Sequence, residues 1–241
     1  MGDDGGSAEL AQHTVKRYDE ELSELKERVL AMGTLVQRAI RRSMKSLNQD
    51  DVEKARKVIM RDKAINALEV GIDEMTRTML ARRQPAAGDL RMIISTVKIV
   101  TDLERAGDLA EHIAESVLQS QDHPLTRLDS LNRLADAVGL QFSAALDAFE
   151  RADAEAALAC IEGDKRVNKL FKAIQREILS YMIEDPRQIT SGLIAMNIGR
   201  HLERIGDHAA NVSEMVIYMA RGHDIRHVDR AEAERIVHEG E

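Results

Sequence analysis

The segment at residues 102–115, D-L-E-R-A-G-D-L-A-E-H-I-A-E, returns at residues 201–214 as H-L-E-R-I-G-D-H-A-A-N-V-S-E. The shared L-E-R-x-G-D core aligns without a gap: Glu104 with Glu203, Arg105 with Arg204, Gly107 with Gly206 and Asp108 with Asp207, at an offset of 99 residues. In a chain of 241 residues, a repeat at that offset favours two similar halves in tandem. On a helix, Glu104, Asp108, Glu111 and Glu115 fall at i, i+4, i+7 and i+11 and line one face. Beside them Val100, Leu103, Gly107, Ala110, Ala114 and Val117 form an apolar seam, with small residues where a second backbone can approach. The second copy keeps the seam as Gly199, Leu202, Gly206, Ala209, Ser213 and Val216, but Ala210 stands in the place of Glu111.

The remaining apolar pattern is helical throughout. Leu22, Leu25, Val29, Met32, Val36 and Ala39 alternate by three and four, so a first helix runs from His13 to about Leu47. Residues 48–51 break it, with Asp50 as the expected cap of a second helix and Glu53 completing a capping box. That helix ends near Arg83, where Pro85 and Gly88 interrupt the pattern, and a third runs to residues 120–124. Helices over about 125–150, 154–184 and 188–221 repeat the plan, with Pro186 as breaker. Only 2% of residues are aromatic and 32% are charged, as suits long helices packed by aliphatic side chains. The expected architecture is all-α: a flexible tail over 1–12, three-helix bundles over 13–122 and 123–222, and a polar tail over 223–241, either frayed helix or disordered.

A second polar stripe lies on the second helix, at Asp62, Asn66, Glu69 and Asp73. If helices two and three form an antiparallel hairpin, residues whose numbers sum to about 166 face each other, which sets Asp62 level with Glu104 and Asn66 within a turn. Glu69 and Asp73 are then weaker candidates. In the second half Asp164 and Asn168 echo Asp62 and Asn66, and Asp164 falls level with Glu203 and Asp207, while Phe171 and Gln175 replace Glu69 and Asp73. Carboxylates and an amide are hard oxygen donors suited to Mg²⁺, Mn²⁺, Ca²⁺ or iron, and pairs spaced i, i+4 on facing helices converge on one point. The candidate metal ligands are therefore Asp62, Asn66, Glu104, Asp108 and Glu111 in the first half, and Asp164, Asn168, Glu203 and Asp207 in the second. The plainer alternative, surface acids paired with Arg105, Arg204 and lysines, is weakened by the repetition of the pattern. His112, His201 and His208 lie nearby and could complete a metal sphere, although a helical histidine is more often not a ligand.

Several functions are disfavoured. A net charge of −8 argues against nucleic acid, which needs a basic surface. Cys160, the only cysteine, reads as a small core residue and allows no intrachain disulfide. No apolar run reaches the roughly 18 residues of a membrane helix, and residues 1–7 lack the marks of a signal peptide, so a cytoplasmic protein is expected. No nucleophile or phosphate-loop motif marks an enzyme. A carboxylate-bridged di-metal enzyme would pair Glu with His at i, i+3, which this spacing does not match; a metal-independent helical scaffold is the other alternative.

The motifs H-T-x-x-x-Y-D-E-E-L (residues 13–22), M-G-x-L-V (32–36), D-K-A-I-N (62–66) and the paired L-E-R-x-G-D segments together resemble the PhoU family of phosphate-transport accessory proteins and phosphate-regulon regulators, over residues 13 to about 227. That resemblance implies six helices in two similar bundles and multinuclear metal sites at the two E-x-x-x-D motifs. It further implies a negative regulator that contacts the phosphate ABC transporter, at its ATPase subunit, and the phosphate sensor histidine kinase, reaching the membrane only through these partners. The expected cofactors are divalent or trivalent ions on the carboxylates (iron, manganese, magnesium or zinc), and the expected assembly is a homodimer. Phe171, Gln175 and Ala210 depart from the first half's acids and put the metal count of the second half in question.

Overall fold

A computed structural model describes residues 5–123, 125 and 129–239. Among them the chain is all-α, with helices α1 (Gly5–Gln49), α2 (Val52–Arg82), α3 (Ala87–Gln119), α4 (Asp129–Arg151), α5 (Ala154–Glu184), α6 (Ile189–Arg221) and α7 (Arg230–Glu239), and a single 3₁₀ turn at Pro186–Gln188. Helices α1–α3 form one three-helix bundle and α4–α6 a second. The backbone is helical from Gly5, ahead of the expected start at His13; the stretch S-A-E-L-A-Q over 7–12 is made of residues that tolerate a helix and simply extends it.

The turns repeat as faithfully as the helices. Asp50 and Ala152, 102 residues apart, both take a left-handed backbone with φ of 50°. Each is followed by the true cap: Asp51 accepts a bond from the Lys54 amide and Asp153 from the Ala156 amide, both at 2.9 Å. The cap is thus Asp51 and not Asp50, because Asp50 is used to reverse the chain.

The two bundles share one core. Buried residues from Leu25 on α1 through Leu103 on α3, Phe142 on α4 and Leu202 on α6 belong to a single apolar cluster. The repeat helices α3 and α6 pack on each other, and α1 packs on α4. Helices α3 and α6 run antiparallel, as three contacts between them show. Asp102 accepts bonds from Asn211 Nδ2 at 2.9 Å and from His208 Nδ1 at 2.7 Å, while the rings of His112 and His201 lie 5.4 Å apart. The repeat offset turns Asp102 into His201 and His112 into Asn211, so these contacts occupy equivalent places about a pseudo-twofold axis between the bundles.

The C-terminal segment is ordered helix over residues 230–239 rather than tail. Ile225, Ala233 and Val237 are buried in the common core, and Arg230 pairs with Glu162 of α5 at 2.5 Å. An apolar residue every third or fourth position gives this otherwise polar stretch one face to bury.

Candidate metal centre

The register of the α2–α3 hairpin decides which acids meet. Helix α2 ends at Arg82 and α3 begins at Ala87, so facing residues sum to about 169 rather than 166. Asp62 consequently lies level with Gly107 and Asp108, one turn from the expected Glu104. A Cβ on Gly107 would stand 3.1 Å from Ile65 Cδ1 and 3.5 Å from Asp62 Oδ1, so the glycine lets α2 approach closely enough for the acids to converge.

Asp62, Asp108 and Glu111 each place a carboxylate oxygen within 4.8 Å of the others, the only such group of three among the described residues. Asp62 is only 7% exposed. Its Oδ2 accepts a bond from Asn66 Nδ2 at 2.9 Å, which leaves Asp62 Oδ1 and Asn66 Oδ1 buried without a protein partner. Orphaned acceptors in a buried site are costly unless a cation or donor reaches them. Hard oxygens, close spacing and orphaned acceptors fit a metal ion held by Asp62, Asp108 and Glu111, with Asn66 beside them.

The electrostatics agree. Burial, followed by repulsion from Asp108, holds the Asp62 carboxyl above its usual range against the opposing Asn66 bond. Glu111 is raised by burial and then by Asp62, and Glu104 by burial and then by Asp108 and Glu69. Glu104, paired with Arg105 at 3.5 Å, lies one turn before Asp108 on α3 and meets the Asp108 carboxyl, so it borders the trio without joining it. Glu69 is raised by burial, by Asp73 and by Asp108; the shifted register brings it to this end of the cluster, and its underrating in the sequence follows from the misplaced turn.

The second half is built differently. Asn168 Nδ2 again donates to Asp164 Oδ2, at 2.6 Å, but Gln141 Nε2 donates to Asp164 Oδ1 at 3.4 Å and to the Gly206 carbonyl at 3.3 Å. The oxygen orphaned in the first half is therefore capped in the second. Asp207 and Glu203 are raised by burial and then by their acidic neighbours, yet no third acid joins Asp164, because Ala210 occupies the place of Glu111. Gln141 escaped the sequence reading. Aligning α4 with α1 at the 102-residue offset of the caps would have found it, as the position of Ala39.

Among the histidines, His208 is engaged by Asp102 across the α3–α6 contact. Burial, then His112, lowers the His201 ring to about 4, so it is neutral at physiological pH. Cys160 is buried, donates to the Gln141 carbonyl at 3.3 Å and has its thiol pushed up by burial, as a core residue should.

One expected outcome follows from the raised carboxyls. A raised carboxyl favours the folded state only while protonated, so this contribution is present below the unfolded pKa and is lost as pH rises through the folded one. The metal-free cluster is therefore most strained near neutral pH, where a cation relieves it. Saturating Mn²⁺, at about 100 times its Kd, should stabilise the protein by roughly 2.7 kcal/mol. The gain in Tm should shrink as pH falls from 7.5 towards 5, sooner than for ordinary carboxylates. Thermal melts with and without Mn²⁺ at both values check this; a gain independent of pH would contradict it.

Comparison with known proteins agrees with this architecture. A protein-family pattern described as PhoU domain matches residues 29–117 and again 131–216. The chain is 42% identical over 222 residues to the phosphate-specific transport system accessory protein PhoU homolog of Pseudomonas putida, spanning 91% of this chain and 86% of that protein. It is 35% identical over 235 residues to phosphate-specific transport system accessory protein PhoU of Escherichia coli (strain K12), spanning 96% of each. The crystal structure of PhoU from Pseudomonas aeruginosa superposes with a TM-score of 0.82 at 41% identity, over 86% of this chain and 100% of that one. The phosphate transport system regulatory protein PhoU from Streptococcus pneumoniae gives 0.81 at 30% identity, over 86% and 98%.

Proposed function

Because this chain belongs to the PhoU family, we propose that it is a metal-binding regulatory adaptor of phosphate uptake and a negative regulator of the phosphate regulon. The observation that carries the metal part is the trio Asp62, Asp108 and Glu111 with its orphaned buried oxygen. A cation there neutralises acids that otherwise repel one another, and so ties α2 to α3 and stiffens the surface of the first bundle. The chain's own residues supply the rest. Asn66 orients Asp62, Gly107 admits the close approach, and Gln141 does for Asp164 in the second half part of what a cation does in the first.

The names of the relatives support the adaptor reading: they are accessory or regulatory proteins of phosphate transport. In this reading the chain, as a cytoplasmic homodimer without enzymatic activity, bridges the ATPase subunit of a phosphate ABC transporter and the phosphate sensor histidine kinase, and holds the kinase in its signal-off state when phosphate is plentiful. No helix among the described residues is long and apolar enough to cross a membrane; in this reading membrane association runs through the partners. The metal is iron, manganese, magnesium or zinc. Asn168, Glu203 and Asp207 form with Asp164 a second, weaker position.

Deleting the gene should leave phosphate-starvation genes expressed in phosphate-rich medium at the level of starved cells, as read by a reporter of the regulon. A protein carrying Asp62→Asn with Asp108→Asn should repress less well although folded. Normal repression in the deletion strain would defeat the adaptor reading; full repression by the folded double variant would defeat only the metal dependence.

A further inference from the structure

The cavity beside the acid trio is lined by three arginines that the metal reading does not use. It measures about 360 Å³, lies where α1, α2 and α3 meet, and is walled by Arg38, Arg42 and Arg61 as well as by Asp62 and Glu111. That volume is at the small end of ligand cavities. Among the described residues none of the three guanidiniums has an ion-pair or hydrogen-bond partner. Asp62, 7% exposed and with Oδ1 unpartnered, forms part of the same wall, so the cation position and the arginines open into one space.

The repeat provides an internal control. At the 102-residue offset Arg38, Arg42 and Arg61 become Leu140, Ala144 and Gly163, and Ala39, which lines the cavity, becomes Gln141. The second half thus lacks all three cations, and the glutamine side chain, 7% exposed, fills the corresponding space and caps Asp164. The three arginines are exposed, so the two halves differ at the surface of the cavity and not in the core, where Val36 and Val138, Ile40 and Phe142, Ile65 and Val167 are all buried.

Formal charge sets the condition for binding. Arg38, Arg42 and Arg61 line one cavity with Asp62 and Glu111, and the carboxylates repel an anion there. A divalent cation on the trio would offset those carboxylate charges and leave the guanidiniums, whose planar fork matches tetrahedral oxyanions, free to hold one in the same cavity. We propose that the first half holds a phosphate-class oxyanion on Arg38, Arg42 and Arg61, and does so only when the adjoining trio of Asp62, Asp108 and Glu111 carries a cation. This rests on the cation reading above. It makes the site a coincidence detector for metal and phosphate, and leaves the second half without an oxyanion site.

The test uses the full chain, stripped with chelator and reloaded with Mn²⁺, with metal content measured throughout. Inorganic phosphate is titrated by equilibrium dialysis. The Mn²⁺-loaded protein should bind one phosphate, and the stripped protein at least about tenfold more weakly. Arg42→Gln and Arg61→Gln should each weaken phosphate by about tenfold or more while retaining Mn²⁺, as loss of a charge-assisted bond requires. Ala39→Gln, which copies the second half, should close the site. Competition with ATP separates the sources of the anion: phosphate retained against ATP supports the free ion, and displacement by ATP supports the phosphate chain of a nucleotide. Full Mn²⁺ occupancy without phosphate binding, or arginine variants that bind phosphate as well as the parent, would overturn this inference and leave the cation reading standing. Failure to bind Mn²⁺ at all would overturn both.

Discussion

Asp62→Ala should lower the affinity of the first half for divalent cations by more than about 100-fold, beyond what loss of a merely orienting neighbour costs. The acid is the most buried of the trio, at 7% exposure, and presents the oxygen that nothing else satisfies. Asp62→Asn sharpens the test, because its effect on stability should change sign with metal. In the stripped protein the amide removes a charge that burial and Asp108 already disfavour, so the variant melts higher than the parent at pH 7. With saturating Mn²⁺ the parent gains more and the order reverses. Asp164→Asn should show no comparable reversal, since Gln141 already donates to Asp164 Oδ1. Isothermal titration and thermal melts on the same samples read both quantities. An unchanged order of Tm with and without metal would show that Asp62 is not a ligand.

The other large effect is on stability. Leu103→Ala and Leu202→Ala, repeat equivalents with no exposed surface, should each cost about 2–5 kcal/mol through lost burial and the cavity left behind. For a chain of this size that lowers Tm by roughly 4–20 °C. The form of the transition carries as much information as its midpoint. Both residues belong to a single core that runs through both bundles, so each variant should melt in one cooperative transition. Two bundles that merely stood side by side would melt separately, with only the mutated half shifted. Differential scanning calorimetry distinguishes the cases, and two resolved transitions would contradict the shared core.

The helices themselves were legible in the chain. Apolar residues every third or fourth position, the breakers Pro85 and Pro186, and an offset repeat are local features, and local spacing is what fixes a helix and the face it buries. The same spacing put Asp62 and Asn66 on one polar face and Glu104, Asp108 and Glu111 on another, because i, i+4 pairs share a face wherever the helix goes. The height at which two faces meet was not legible. A four-residue connection between Arg82 and Ala87 moves the register by nearly a turn, which exchanges Glu104 for Asp108 opposite Asp62 and draws Glu69 towards the cluster. Nor could spacing place the first helix of each bundle around the site. Ala39 against Gln141, and three arginines against Leu140, Ala144 and Gly163, make one half open and the other plugged. Within a helix the backbone hydrogen bonds set the geometry residue by residue, whereas between helices it is set by side chains from segments far apart in sequence settling into one another. Which acids meet is therefore decided by packing.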